Sequence, residues 1–236
     1  MKEKLLNKIV FGLNVFLIVA LCVINVFYQS ANFNFTLKCV GSSCFAIQGL
    51  INLFYAYKTK QADIKFYIIM AIGLIFAMAG DVAINLNFIA GAGIFAIGHI
   101  WFIVAYCLLM KFKPIDIVYG VVIFVGSALF ILLFKGLKFN PQLLKWVCLI
   151  YALIISLMLG KAISNLVRER TILNILLVVG AVLFFFSDLM LLLDNFMGTL
   201  SWTDNACMAT YYPALSILAL SMFYKIFTNT KTQSNE

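Results

Sequence analysis

The chain of 236 residues is 64% apolar and 11% charged, with a mean hydropathy of +1.06. That composition leaves too little polar surface to cover a water-soluble domain and describes an integral membrane protein. The net charge of +8 does not point to nucleic acid, which would need a soluble basic face; it reads as a topology signal, with some attraction to anionic lipid.

Apolar runs of about 20 residues, the length that crosses ~30 Å of hydrocarbon, recur along the whole chain. Eight helices are expected, at 8–28, 39–57, 66–87, 89–110, 116–134, 144–163, 172–193 and 207–227. The result is an all-α transmembrane bundle forming one domain, residues 1–236. The first helix has three nearby lysines and a small-residue stretch, Gln29-Ser30-Ala31. Its apolar run is too long for a secretory signal, so it is read as retained. Lys38 stands at the start of the second helix, and the polar stretch Lys58 to Lys65 separates it from the third, which carries Asp81 and Asn85. The fourth carries His99 and closes before Lys113-Pro114, where the proline disfavours helix in the preceding residue. The mixed stretch Lys135 to Pro141 precedes the sixth helix, and Arg168-Glu169-Arg170 precedes the seventh, with Ser187 and Asp188; the eighth carries Tyr211 and Tyr212. The six cysteines, Cys22, Cys39, Cys44, Cys107, Cys148 and Cys207, lack C-x-x-C spacing and read as small hydrophobes, with a Cys39–Cys207 disulfide left open.

Positive charges are retained on the cytoplasmic side of short loops. With the N-terminus inside, that side holds thirteen of the seventeen basic residues: Lys2, Lys4, Lys8, Lys58, Lys60, Lys65, Lys111, Lys113, Lys161, Arg168, Arg170, Lys225 and Lys231. Lys38, Lys135, Lys138 and Lys145 fall opposite. Both termini are then cytoplasmic, in what is expected to be the cell membrane of a bacterium.

Two aspartates break the apolar pattern. Both read G-x6-[GS]-D, from Gly73 to Gly80-Asp81 and from Gly180 to Ser187-Asp188. A carboxylate at mid-helix costs roughly 2.5 to 3.5 kcal/mol on insertion scales, so an intramembrane pair is by default a functional site. Depth supports this. At about 1.5 Å per residue, Asp81, Asp188 and Asn25 lie in the outer half of the membrane, His99 lies near the midplane, and Tyr211 and Tyr212 sit about one turn below the outer boundary. Asp81 and Asn85 are spaced i and i+4, and Phe95, His99, Phe102 and Tyr106 share a face. For Asn25, Asn85 and Ser187 the competing explanation is interhelical glue, since hydrogen-bonded polar side chains are common packing devices in membranes.

His99 is the single histidine. Zinc sites built on three histidines, or on two and a glutamate, cannot be assembled here. A magnesium- or manganese-like ion on Asp81, Asp188, His99 and water is an alternative; the primary expectation is no metal and no cofactor.

The string GDVAINLNFIAGAGIFAIGHIWFIVAY resembles the YhhN-type lysoplasmalogenase family, with Gly-Asp on one helix and Phe-x-x-x-His on the next. The helix VGAVLFFFSDLMLLLDNF is similar to that family's Ser-Asp helix, TYYPALSIL to its last helix, and Leu37-Lys38-Cys39 to the lysine that opens its second. The resemblance covers about the whole chain. Ala214-Leu215 and Phe102 depart from the family pattern, which often has Ala-Gln after the tyrosines and a tyrosine one turn after the histidine.

The resemblance implies hydrolysis of the vinyl ether bond of alkenyl lysophospholipids to a fatty aldehyde and a glycerophospho-base. Asp81 and Asp188 would be acid and base in an order left open, with His99 orienting a carboxylate or relaying a proton. Lys38 would meet the phosphate, Tyr211 and Tyr212 would hold water or the ether oxygen, and Asn25, Asn85 and Ser187 would line the substrate site. Desolvated, neighbouring carboxyls titrate apart, so one can be acid while the other is anionic. The expected partners are the lysophospholipid and bilayer lipids, with no nucleic acid. The equal orientation of the two G-x6-[GS]-D helices is compatible with a four-plus-four internal repeat. Parallel repeats with intramembrane acids also describe transporters, so a proton-coupled transporter or binder of a small amphiphile is the alternative, with a lipid-binding scaffold behind it.

Overall fold

The structure is a computed structural model that describes residues 2–30, 34–197 and 202–233, with side chains at 5–28, 35–197 and 202–230. The stretch Gln29 to Ala31 and the cations Lys2, Lys4 and Lys231 lie outside the described side chains. Among the described residues there are eight helices and no strands: α1 Lys2–Ser30, α2 Asn34–Lys58, α3 Ile64–Leu86, α4 Phe88–Leu109, α5 Pro114–Leu133, α6 Leu143–Arg168, α7 Ile172–Met197 and α8 Thr203–Gln233. All eight are long and apolar enough to cross a membrane, so the chain is a multi-pass integral membrane protein. Several run past the apolar stretch because backbone i to i−4 bonding continues into the polar boundary, where side chains can be solvated.

Six helices close a ring, α2–α3–α4–α6–α7–α8 and back to α2, with α3 also touching α8 across it. α1 lies outside against α2 and α8, and among the described residues the backbone of α5 packs on α6 alone. Large apolar side chains cover the outside, including Phe16, Val122, Leu133 and Ile150. In water that surface would be untenable; in lipid it costs nothing.

With no hydrophobic drive between helices in lipid, close backbone approach and polar bonding hold them together. A Cβ on Gly160 would come within 2.3 Å of the Gly120 backbone nitrogen, so α6 and α5 touch backbone to backbone there. α1 is tied on by a closed amide network. Asn14 and Asn52 exchange hydrogen bonds at 2.8 and 3.0 Å, Gln48 donates to Asn14 at 3.0 Å, and Ser216 donates to Gln48 at 2.9 Å. The remaining amide protons of Asn14 and Asn52 go to the carbonyls of Val10 and Ala219, so nothing in this pair is left unbonded.

Most of the described basic residues lie at one end of the bundle, with Lys38, Lys135, Lys138 and Lys145 at the other. At the more basic end Lys225 pairs with Asp63 at 2.9 Å and Arg168 donates to the Lys111 carbonyl at 3.0 Å. Deeper at this end, Asp116 accepts from the Lys113 backbone at 2.9 Å, capping α5, and takes Lys161 at 2.7 Å; both charged side chains are buried. All six cysteines are free, Cys39 and Cys207 included.

Candidate active site

The site is built inside the ring from the inward faces of α2, α3, α4, α6, α7 and α8. Asp81, on α3, is only 2% exposed. The Ser42 hydroxyl of α2 hydrogen-bonds to its Oδ2, and the Tyr211 hydroxyl of α8 donates to the same oxygen at 2.8 Å. Lys38, buried one turn before Ser42, lies within electrostatic reach of Asp81 and of Asp204. Asp188, on α7, is 11% exposed. Its Oδ2 lies 2.6 Å from the Tyr151 hydroxyl of α6, and the same hydroxyl lies 2.8 Å from His99 Nε2 on α4. His99 Nε2 is 3.5 Å from the Asp188 oxygen.

Each acid therefore sits on one helix and is held by partners from two others: α2 and α8 for Asp81, α6 and α4 for Asp188. The two acids are in mutual electrostatic reach without touching. An aromatic wall stands between the groups that hold them. Tyr211 packs edge-on to Phe95 with centroids 6.1 Å apart and to Phe184 at 5.4 Å, and Phe184 packs on His99 at 4.5 Å. The Phe95 ring is seated on α3 beside Asp81, because the residue before it is Gly80; a Cβ there would come within 2.8 Å of that ring.

Two cavities meet at Asp188 and Tyr151. The smaller, about 50 Å³, is bounded by Ile84, Phe95 and Cys148. The larger, about 230 Å³, lies among α5, α6 and α7 and is bounded by Gly126, Ser127, Phe130 and Phe185. Among the described residues the backbone of α5 packs on α6 and not on α7, and the larger cavity lies between the side chains of α5 and α7.

The other residues singled out in the sequence are placed as follows. Tyr212 packs on Tyr211 with ring centroids 5.7 Å apart, but its hydroxyl lies 3.4 Å from the Lys38 carbonyl, and its ring sits where a Cβ on Gly41 would be. Asn25 is not brought to the acids. It lines a cavity of about 240 Å³ between α1 and α8, with Tyr212 and Ser216, and its Oδ1 is buried with no partner among the described residues. Asn85 is exposed and its amide folds back onto the Asp81 carbonyl at 2.6 Å, so the i, i+4 spacing yields a local backbone bond. Ser187 is buried and its hydroxyl is taken by the Phe184 carbonyl at 2.8 Å.

Two members of the site escaped the sequence reading. Tyr151 looks like one more aromatic in an apolar run, although the depth arithmetic applied to the sixth helix would have carried it into the same half of the membrane. Ser42 looks like a small packing residue. Among the described residues no group of three or more His, Cys, Asp or Glu is placed to hold a metal ion. The set Asp81, Asp188 and His99 is not assembled as a ligand shell: Tyr151 is inserted between two of them and aromatic rings shield the third.

No curated protein and no solved structure matches the chain. The sequence pattern of the YhhN family matches residues 38–222, from the lysine of α2 well into α8. That span takes in both aspartates, His99, Tyr151 and the paired tyrosines, and the chain belongs to the YhhN family.

Proposed function

We propose that the chain is a membrane-embedded lysoplasmalogenase, hydrolysing the vinyl ether of alkenyl lysophospholipids. The observation that carries this reading is Asp188. It is a carboxyl bonded to a phenol and through it to the one histidine, it lines two apolar cavities, and a second aspartate is in electrostatic reach. Vinyl ether hydrolysis needs a proton donor at carbon, a nearby negative charge and a site for a long chain, which is what this arrangement offers.

Asp188 is the acid in this scheme. Its carboxyl transfers a proton to the β-carbon of the alkenyl group, the π pair of the double bond forms the new C–H bond while the O–H pair stays on the carboxylate, and the α-carbon and ether oxygen share the positive charge. The resulting Asp188 carboxylate faces that cation, accepts a proton from the water that adds to the α-carbon, and is thereby restored. The hemiacetal then collapses to aldehyde and the free glycerol hydroxyl. Asp81, held by Ser42 and Tyr211 and shielded by Phe95, is the fixed anion that stabilises the cation through a medium of low dielectric. Lys38 is the cation offered to the headgroup phosphate, and the gap between α5 and α7 admits the alkenyl chain from the lipid. With both termini cytoplasmic, as the loop charges favour, the site opens in the outer half of a bacterial cell membrane.

The test is incubation of the purified protein in detergent with alkenyl, acyl and alkyl lysophospholipids of matched chain length. Aldehyde from the alkenyl lipid alone is expected. Asp188→Asn and Asp81→Asn should each lower its release by roughly 10²-fold or more, the scale of a lost general acid or a lost charge stabiliser. Folded variants with normal turnover would remove the assignment, and proton-driven lipid flux without aldehyde would favour transport.

A further inference from the structure

His99 is fully buried, and each of its ring nitrogens has one close polar neighbour, with Asp188 Oδ2 a longer 3.5 Å from Nε2. Nε2 faces the Tyr151 hydroxyl at 2.8 Å and Nδ1 faces the Met158 sulfur at 3.3 Å. Tyr151 and Met158 are seven residues apart on α6, two helical turns, so one face of that helix presents both groups to the imidazole. Beyond Tyr151 the row continues to Asp188 Oδ2 at 2.6 Å. Four groups thus form a line of three close contacts: sulfur, imidazole, phenol, carboxyl.

Counting protons along this line decides between its states. A phenol has one proton and a thioether has none, and a buried contact between two acceptors is repulsive. If the line holds two protons, as with an anionic Asp188 and a neutral histidine, one of the three contacts must be acceptor against acceptor. The Nε2–H tautomer leaves Nδ1 facing sulfur bare. The Nδ1–H tautomer leaves either nitrogen facing phenol oxygen or phenol oxygen facing carboxylate. With three protons every contact becomes a hydrogen bond. Two arrangements achieve this: an imidazolium with a carboxylate, or a neutral Nδ1–H imidazole with a protonated Asp188 donating to Tyr151, which donates to Nε2. They interconvert by moving two protons one step each, and the surrounding apolar packing disfavours the charge-separated one.

We infer that Met158 is a positioning residue whose thioether accepts from His99 Nδ1–H, fixing the tautomer in which Tyr151 donates to Nε2 and Asp188 carries the transferable proton. The consequence for turnover rests on Asp188 being the acid of the proposed reaction, whereas the tautomer does not depend on that reaction. The effect reaches the substrate only through Tyr151 and Asp188, so Met158 itself needs no contact with it.

A single histidine makes the tautomer directly readable. Full-length protein labelled with ¹⁵N-histidine, in detergent micelles at neutral pH, should show one ring with Nδ1 protonated and Nε2 bare; a protonated Nε2 in the wild-type protein overturns the inference. Met158→Leu, close in volume but without an acceptor, should move the proton to Nε2 and lower aldehyde release about tenfold. Met158→Gln, which restores an acceptor, should return both. If Met158→Leu keeps the Nδ1 proton, Met158 is packing only. If the tautomers shift as expected but no form releases aldehyde, the positioning role stands and the lysoplasmalogenase reading falls.

Discussion

The Tyr151 hydroxyl bridges His99 and Asp188, 2.8 Å from one and 2.6 Å from the other. Tyr151→Phe removes both contacts while keeping the ring. It should lower aldehyde release by about 10²-fold, within the range for disrupted acid–base catalysis. It should also lower thermal stability by about 1–3 kcal/mol, because two buried polar atoms lose a partner. Turnover and a melting curve on the same preparation check both.

Asp188 lines two cavities and Asp81 sits behind the Phe95 ring, so a hydrophobic carbodiimide should modify Asp188 first. Phe95→Ala should make Asp81 reactive as well, at a stability cost of about 3–5 kcal/mol for an emptied ring site. Peptide mass spectrometry of both proteins reads the two carboxyls separately. Equal labelling in the wild type would mean that the aromatic wall does not shield Asp81.

Gly126 lines the larger cavity, and a Cβ there would meet nothing within 4 Å. Gly126→Leu should therefore insert without disturbing packing and fill part of the cavity. The expected result is a shift of preference toward shorter alkenyl chains, with long-chain kcat/KM falling by 10-fold or so, the scale of about 1–3 kcal/mol for a methylene-sized misfit. Competition between two chain lengths measures it.

Lys161 and Asp116 are both about 2% exposed and 2.7 Å apart, far along the bundle from the acids. Lys161→Met leaves a buried carboxylate facing Ser164 and, at 3.6 Å, Arg168. It should cost about 3–5 kcal/mol, and adding Asp116→Leu should recover much of that loss. Thermal unfolding of the two singles and the double gives the coupling, and basal turnover of the folded double should be near normal.

Much of this protein is legible in the chain because the lipid imposes a one-dimensional rule: about 20 apolar residues per crossing, with backbone bonds satisfied inside the helix. The eight helices and the anomaly of Asp81 and Asp188 follow from that rule, and the clustering of cations at one end follows from the retention of positive charge on one side of short loops. Depth, too, is linear in residue number, which is why the acids, His99 and Tyr211 could be set in neighbouring strata before any helix was packed.

What the chain alone did not determine is rotation about each helix axis and which helices are neighbours. In lipid both faces of a helix are apolar, so periodicity carries little signal, and only packing decides that Tyr151 and Ser42 turn toward the acids while Asn85 turns out and Ser187 bonds its own backbone. The closed ring sets α4 beside α6 and α8 beside α2, contacts between helices distant in sequence. Those neighbours give each aspartate its own pair of polar partners and place aromatic rings between them, because side chains from non-adjacent segments meet only once the bundle has closed.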